Sequence, residues 1–125
     1  MSRFSSISLA FAGLAGLAGV AMGALAAHGL TPAQKALIEI ASQYALWHAL
    51  AMGLAIVVHD RAKGWARRLF GIAAWCFAAG IVVFSGSLVL LALNGKGGAA
   101  PVGGTAFLVG WALFFTGALS SFRRQ

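Results

Sequence analysis

Four long apolar runs, at about 5–27, 37–58, 65–93 and 101–122, leave this chain few ways to fold. A helix needs about 20 apolar residues to cross roughly 30 Å of hydrocarbon, and each run reaches that length. Lipid offers no hydrogen bonds, so a spanning segment must be a helix or a strand of a closed barrel. None of the runs alternates with period two, which argues against a barrel. The chain is 61% hydrophobic and only 9% charged, against about 25% charged for an ordinary soluble domain. A soluble fold of 125 residues could not enclose so much apolar surface. The expected fold is all-α: a single domain built as an integral membrane four-helix bundle.

The basic residues orient that bundle. Arg3 precedes the first span, Arg61, Lys63, Arg67 and Arg68 lie between the second and third, and Arg123 and Arg124 follow the fourth. Only Lys35 and Lys96 fall on the opposite side. Short loops rich in Lys and Arg stay cytoplasmic, so both termini are expected inside a cell inner (plasma) membrane. A net charge of +7 would also suit nucleic acid. Here, however, the cations stand in short clusters between apolar runs, which suits anionic lipid headgroups. The expected partner is therefore the bilayer and not nucleic acid. Arg3, the apolar stretch and Ala24-Leu25-Ala26 resemble a secretory signal with its cleavage site. The stretch is long for such a signal, so it is read as a retained first span. Cys76, the only cysteine, lies within an apolar run and reads as a small buried hydrophobe.

Local signals set the hairpins. Gly29 suits the left-handed position that ends the first helix. Thr31 fits an N-cap, Pro32 the first helical position, and Gln34 the far arm of a capping box. The second helix is expected to run from Pro32 to near His59, about 40 Å at 1.5 Å per residue. That exceeds the hydrocarbon core and leaves Lys35 and Glu39 among the headgroups. A loop at 59–64 and a glycine-rich loop at 94–100 are expected to join the remaining helices.

Helices in lipid associate by close packing, which needs small residues. The first span offers Ala15, Gly19, Gly23 and Ala27 at four-residue spacing. The fourth offers Gly103, Gly110 and Gly117 at seven-residue spacing. These stripes either pack the bundle itself or meet another membrane protein or a second copy.

Polar residues within the spans are few. No Asp, Glu, Lys or Arg lies at mid-depth; Glu39 sits at the mouth of the second span. A proton-coupled carrier usually needs an ionisable group deeper than that. His48 is the exception near mid-depth, with Tyr44 one turn earlier on the same face. It reads either as a polar clamp between helices or as a site for a small hydrophobic or protonatable ligand. Ser85 and Ser87 are candidate partners. Trp47, Trp75 and Trp111 could form an aromatic interior with His48 or simply fill space. Haem between His28 and His48 fails, because the two differ in depth by about 15 Å. The sequence carries no paired carboxylates, zinc-binding or phosphate-binding motif or nucleophile elbow. Neither an enzyme activity nor a cofactor is expected.

Four stretches, taken in order, carry a resemblance. They are Gly23-Ala24-Leu25-Ala26-Ala27-His28-Gly29-Leu30, Tyr44-Ala45-Leu46-Trp47-His48-Ala49-Leu50, Phe84-Ser85-Gly86-Ser87-Leu88 with its apolar continuation, and Pro101-Val102-Gly103-Gly104 with Gly110-Trp111. The chain resembles the YgdD-like proteins, a domain-of-unknown-function family of small inner-membrane proteins with mitochondrial relatives. Val89 departs from the tyrosine that family pattern has after Ser-Gly-Ser-Leu. The resemblance implies four spans and no established reaction. It also implies that Tyr44, His48, Ser85 and Ser87 form one polar cluster, with His28 and Pro101 at its rim. The leading functional expectation is a non-enzymatic interaction or assembly subunit. The alternative is a binder or carrier of a small ligand around that cluster.

Overall fold

A computed structural model describes residues 1–123, so Arg124 of the C-terminal basic pair lies outside the described residues. Four helices carry the chain: α1 (Arg3–Ala26), α2 (Pro32–Arg61), α3 (Gly64–Asn94) and α4 (Ala100–Phe122). Each is long and apolar enough to cross a membrane, and the described residues contain no strand. They run antiparallel in sequence, so one end of the bundle holds both termini and the α2–α3 turn. The other end holds the α1–α2 and α3–α4 connections.

The helix ends follow from local chemistry. The Ser2 hydroxyl accepts from Ser5 N–H at 3.1 Å and caps α1. At the far end of α1, Ala27 N–H turns back to Ala24 O and His28 N–H to Leu25 O. That tightened turn displaces the left-handed residue Gly29 (φ 68°) one place beyond the expected position. The capping box at the start of α2 has both arms. Gln34 N–H donates to Thr31 Oγ1 at 3.3 Å, and Thr31 N–H donates to Gln34 Oε1 at 3.0 Å. The Gln34 amide also donates to Ala92 O at 3.1 Å and ties α2 to the end of α3. At 30 residues, α2 is about 45 Å long, and its exposed Lys35–Glu39 pair stands at one end. The loop expected at 59–64 shrinks to Ala62 and Lys63, because α2 continues through Asp60 and Arg61. Gly95 (φ 66°) ends α3.

α2 and α3 form the centre. α1 packs on α2 and α4 on α3, while α1 barely meets α3. The most apolar windows of α2 and α3 are 50% and 44% buried, against 22% for both α1 and α4. The outer helices therefore present most of their surface to lipid.

The two outer seams use different devices. On α1, the buried positions are Ser5, Ser8, Ala12, Ala15, Gly19 and Ala26. The expected stripe holds at Ala15 and Gly19, reaches Gly23, which is exposed although a Cβ there would lie 3.0 Å from Ser42 Oγ, and fails at Ala27, which is exposed beyond the helix end. Strict four-residue spacing drifts around a helix of 3.6 residues per turn, so a buried face alternates steps of three and four. At Gly19 the seam is close: a Cβ there would lie 2.7 Å from Leu46 Cγ. Here the Ser42 hydroxyl donates to Gly19 O at 2.7 Å. Between α3 and α4, phenylalanines fill the glycine stripe. The rings of Phe70 and Phe77 lie against Gly117 and Gly110, whereas Gly103 receives the backbone of Phe84, whose ring turns toward Tyr44 and Phe107. The three glycines, and Phe70 with Phe77, repeat every seven residues, which keeps each set on one face of an antiparallel pair. A Cβ on Gly110 would stand 2.7 Å from Phe77 Cε1. Phe107 of α4 answers by lying on Gly80 of α3.

One irregularity shapes the middle of α3. Ile81–Ser85 forms a π-helical turn. Such a turn inserts one residue into the helix and advances everything after it by about 100°. It lies where α4 approaches most closely, at the Phe84–Gly103 contact.

Candidate functional site

The candidate site grows from one side of α2 and the facing side of α4. His48 is 5% exposed, and both its ring nitrogens are engaged. Nδ1 lies 2.7 Å from Tyr44 O, one turn earlier on α2. Nε2 lies 3.2 Å from Trp111 Nε1 on α4. An indole N–H can only donate, so Nε2 accepts and Nδ1 carries the proton. These partners assign one neutral tautomer. Phe107 stacks on the imidazole with centroids 3.6 Å apart, and Phe77 borders it at 5.6 Å. The histidine thus joins α2 to α4 within an aromatic enclosure.

Beside this clamp lies a groove of about 490 Å³. Tyr44, Trp47 and His48 of α2 form one wall, Phe84 of α3 the back, and Pro101, Thr105, Phe107, Leu108 and Trp111 of α4 the other wall. The Tyr44 ring packs on Phe84 at 4.7 Å and on Trp47 at 5.4 Å. Its hydroxyl makes no hydrogen bond among the described residues. Thr105 Oγ1 donates to Pro101 O at 2.8 Å and keeps its lone pairs free.

The structure brings together only part of the expected polar cluster. Tyr44 and His48 meet directly. Ser85 instead donates to Ala41 O at 2.8 Å, two turns away along α2. Ser87 accepts from Gly98 N–H at 3.3 Å and braces the α3–α4 connection. The separation is one of level: Ala41 lies about 10 Å along the α2 axis from His48, and Ser87 sits nearer still to the α3–α4 connection. His28 is exposed beyond the end of α1, away from the groove, while Pro101 does lie on its rim. Of the three tryptophans, Trp111 joins His48. Trp47 is 55% exposed and Trp75 pairs with Phe11. Cys76 is half-buried on the α3 face toward Gly110. Sequence reasoning missed Phe107, although it lies one turn from both Gly103 and Trp111 on the same face of α4.

It also missed a second polar group, at the end that holds the termini. The Ser5 hydroxyl donates to Asp60 Oδ1 at 2.6 Å. His59 Nδ1 lies 2.7 Å from Arg67 O, and the Arg67 guanidinium donates to His59 O at 3.3 Å. These bonds fasten α1, α2 and α3 together around the short turn.

Comparison with known proteins places these elements in a family. The family described as "Protein of unknown function (DUF423)" matches residues 22–104, from the last turns of α1 to the first turn of α4. The chain belongs to this family. The inner membrane protein YgdD of Escherichia coli is 38% identical over 92% of this chain and 91% of its own length. The membrane protein YwdK of Bacillus subtilis is 32% identical over 78% of this chain and 84% of its own length. A membrane protein of Haemophilus influenzae is 35% identical over 81% and 84%. No solved structure matches the chain. Four apolar helices and these relatives make it a multi-pass protein of the inner (plasma) membrane. The matched region contains Tyr44, His48, Ser85, Ser87 and Pro101 but stops before Phe107 and Trp111.

Proposed function

We propose that this chain is a non-enzymatic membrane protein that works by lateral association, seating a transmembrane helix of another protein or of a second copy. The observation that carries this reading is a groove of about 570 Å³ between α1 and α2. Gly13 and Gly16 of α1 and Gly53 of α2 line it. A Cβ at any of the three would meet nothing within 4 Å. By contrast, Gly19, Gly80 and Gly110 are filled by side chains of neighbouring helices, and Gly103 already lies against the Phe84 backbone. Glycine in a membrane helix permits close backbone approach, and these three leave that approach unused. Leu46, Leu50 and Leu54 supply a ridged wall beside them. The reading takes both termini as cytoplasmic, with Arg3, Arg61, Lys63, Arg67, Arg68 and Arg123 at the lipid headgroups.

The test is gentle affinity purification from native membranes with the wild type and with Gly16→Leu. The wild type is expected to retain a membrane partner, or a second copy, that Gly16→Leu loses while keeping its helical content. A partner retained equally by both, or none with either, overturns the reading.

A second reading has its own support. The aromatic groove between α2 and α4 has the volume and the sparse polar lining of a small-ligand site. On this reading His48 builds the wall, since neither ring nitrogen is free to meet a ligand.

A further inference from the structure

We propose that the α2–α4 groove takes a membrane-soluble molecule with a planar, carbonyl-bearing ring and an aliphatic tail, the chemical class of the membrane quinones. This inference rests on the ligand-binding reading above and names its substrate class.

The first observation is the Tyr44 hydroxyl. Tyr44 lies 12 residues into α2, about 18 Å along its axis, and so within the hydrocarbon region. Its hydroxyl has no hydrogen-bond partner among the described residues, while its ring is fixed by Phe84 and Trp47. An unpaired hydroxyl at this depth is unfavourable, because lipid tails supply no acceptor. A ligand carbonyl in the groove would supply one.

The second observation is the shape and chemistry of the walls. Tyr44, Trp47, Phe84, Phe107 and Trp111 line a groove of about 490 Å³ that is open toward lipid. Aromatic faces and edges favour a flat, polarisable ring by offset stacking and edge contact. A charged headgroup finds no counter-ion there, since no Asp, Glu, Lys or Arg lines the groove. A metal ion finds no free nitrogen, since Trp111 and Tyr44 O occupy both positions of His48. A transmembrane helix would meet these bulky side chains instead of a glycine surface. Leu108, 72% exposed, stands at the margin toward lipid and leaves a route for an apolar tail.

The division of roles is specific. Tyr44 donates the recognising hydrogen bond. His48 does not touch the ring and acts as a positioning residue, holding Trp111 and Phe107 in place. Binding involves no proton or electron transfer to the protein.

The test uses the full chain in nanodiscs of phosphatidylethanolamine and phosphatidylglycerol, titrated with decylubiquinone. Trp47 and Trp111 line the groove, so their fluorescence reports a quinone ring beside them. The wild type is expected to show saturable quenching above the linear background from partition into lipid. Tyr44→Phe keeps the packing and removes the hydroxyl, so the midpoint should rise about fivefold, the worth of one neutral hydrogen bond. Gly104 also lines the groove, with room for a Cβ 4.0 Å from Phe84 Cδ2, so Gly104→Leu places a side chain into it and should leave only the linear background. Equal, unsaturable quenching in all three proteins overturns the quinone class. Lipid mass spectrometry of the same preparations separates the two failures. A phospholipid retained by the wild type and lost from Gly104→Leu would keep the ligand reading and overturn the ring. No lipophile that differs between them would overturn both.

Discussion

α2 borders two grooves, and they differ in almost every property that governs recognition. The groove shared with α1 is floored by Gly13, Gly16 and Gly53 and walled by leucines. The groove shared with α4 is lined by Tyr44, Trp47, Phe107 and Trp111, with an unpaired hydroxyl among them. The first exposes bare backbone, the surface against which another helix packs closely. The second presents aromatic faces and a hydrogen-bond donor, which suit a small flat molecule. One helix can thus serve two kinds of occupant, because residues on opposite sides of it have different sizes and chemistry. The seams beneath them differ in parallel: hydroxyl to carbonyl at Ser42 and Gly19, phenylalanine into glycine along α3 and α4.

The strongest way to break the comparison is to remove one groove and spare the other. Gly110→Leu would drive a side chain into Phe77, whose ring already stands 2.7 Å from where a Cβ would be. Overpacking of this kind costs about 1–3 kcal/mol. Displacing α4 should also abolish quinone quenching while leaving partner retention at the α1–α2 groove intact. Denaturant titration in mixed micelles measures the first effect.

A smaller effect is expected at the clamp. His48→Leu leaves the Trp111 N–H without its acceptor in lipid, which should destabilise by about 1–2 kcal/mol. Adding Trp111→Phe removes the stranded donor and should recover part of that loss. The double-mutant coupling, averaging about 0.6 kcal/mol for hydrogen bonds between membrane helices, would then isolate the bond itself. The smallest change is expected from Ser42→Ala. It removes one bond to Gly19 O and should cost about 0.5–1 kcal/mol, with quinone quenching unchanged.

The parts of this molecule legible in sequence are those on which lipid allows little choice. Four spans follow from apolar length, and the start of α2 from Thr31, Pro32 and Gln34. The glycines of α4 were readable as a packing face. Their partners were not read, although Phe70, Phe77 and Phe84 repeat at the same interval. Seven-residue spacing shows which residues share a face but not which helix covers it. The composition of Ile81–Ser85 gives no sign of a π-helical turn, and the level at which α3 meets α2, which sets Ser85 beside Ala41 and not His48, is fixed only in the folded bundle. Tyr44 and His48 were found together because an i, i+4 pair on one helix needs no tertiary information. Trp111 reaches His48 from 63 residues away, and only the folded bundle determines that contact. The turn after α2 was shortened for a similar reason: Asp60 finds Ser5, and His59 finds Arg67, so α2 continues further than its apolar pattern.

The most direct test of two independent faces on α2 is native mass spectrometry of the detergent-extracted chain as wild type, Gly16→Leu and Tyr44→Phe. Wild type should carry both a protein partner and a small lipophile. Gly16→Leu should lose only the protein, and Tyr44→Phe should keep the protein and carry a reduced share of the lipophile. A wild type that carries neither, or a variant that loses both together while remaining folded, would contradict the account.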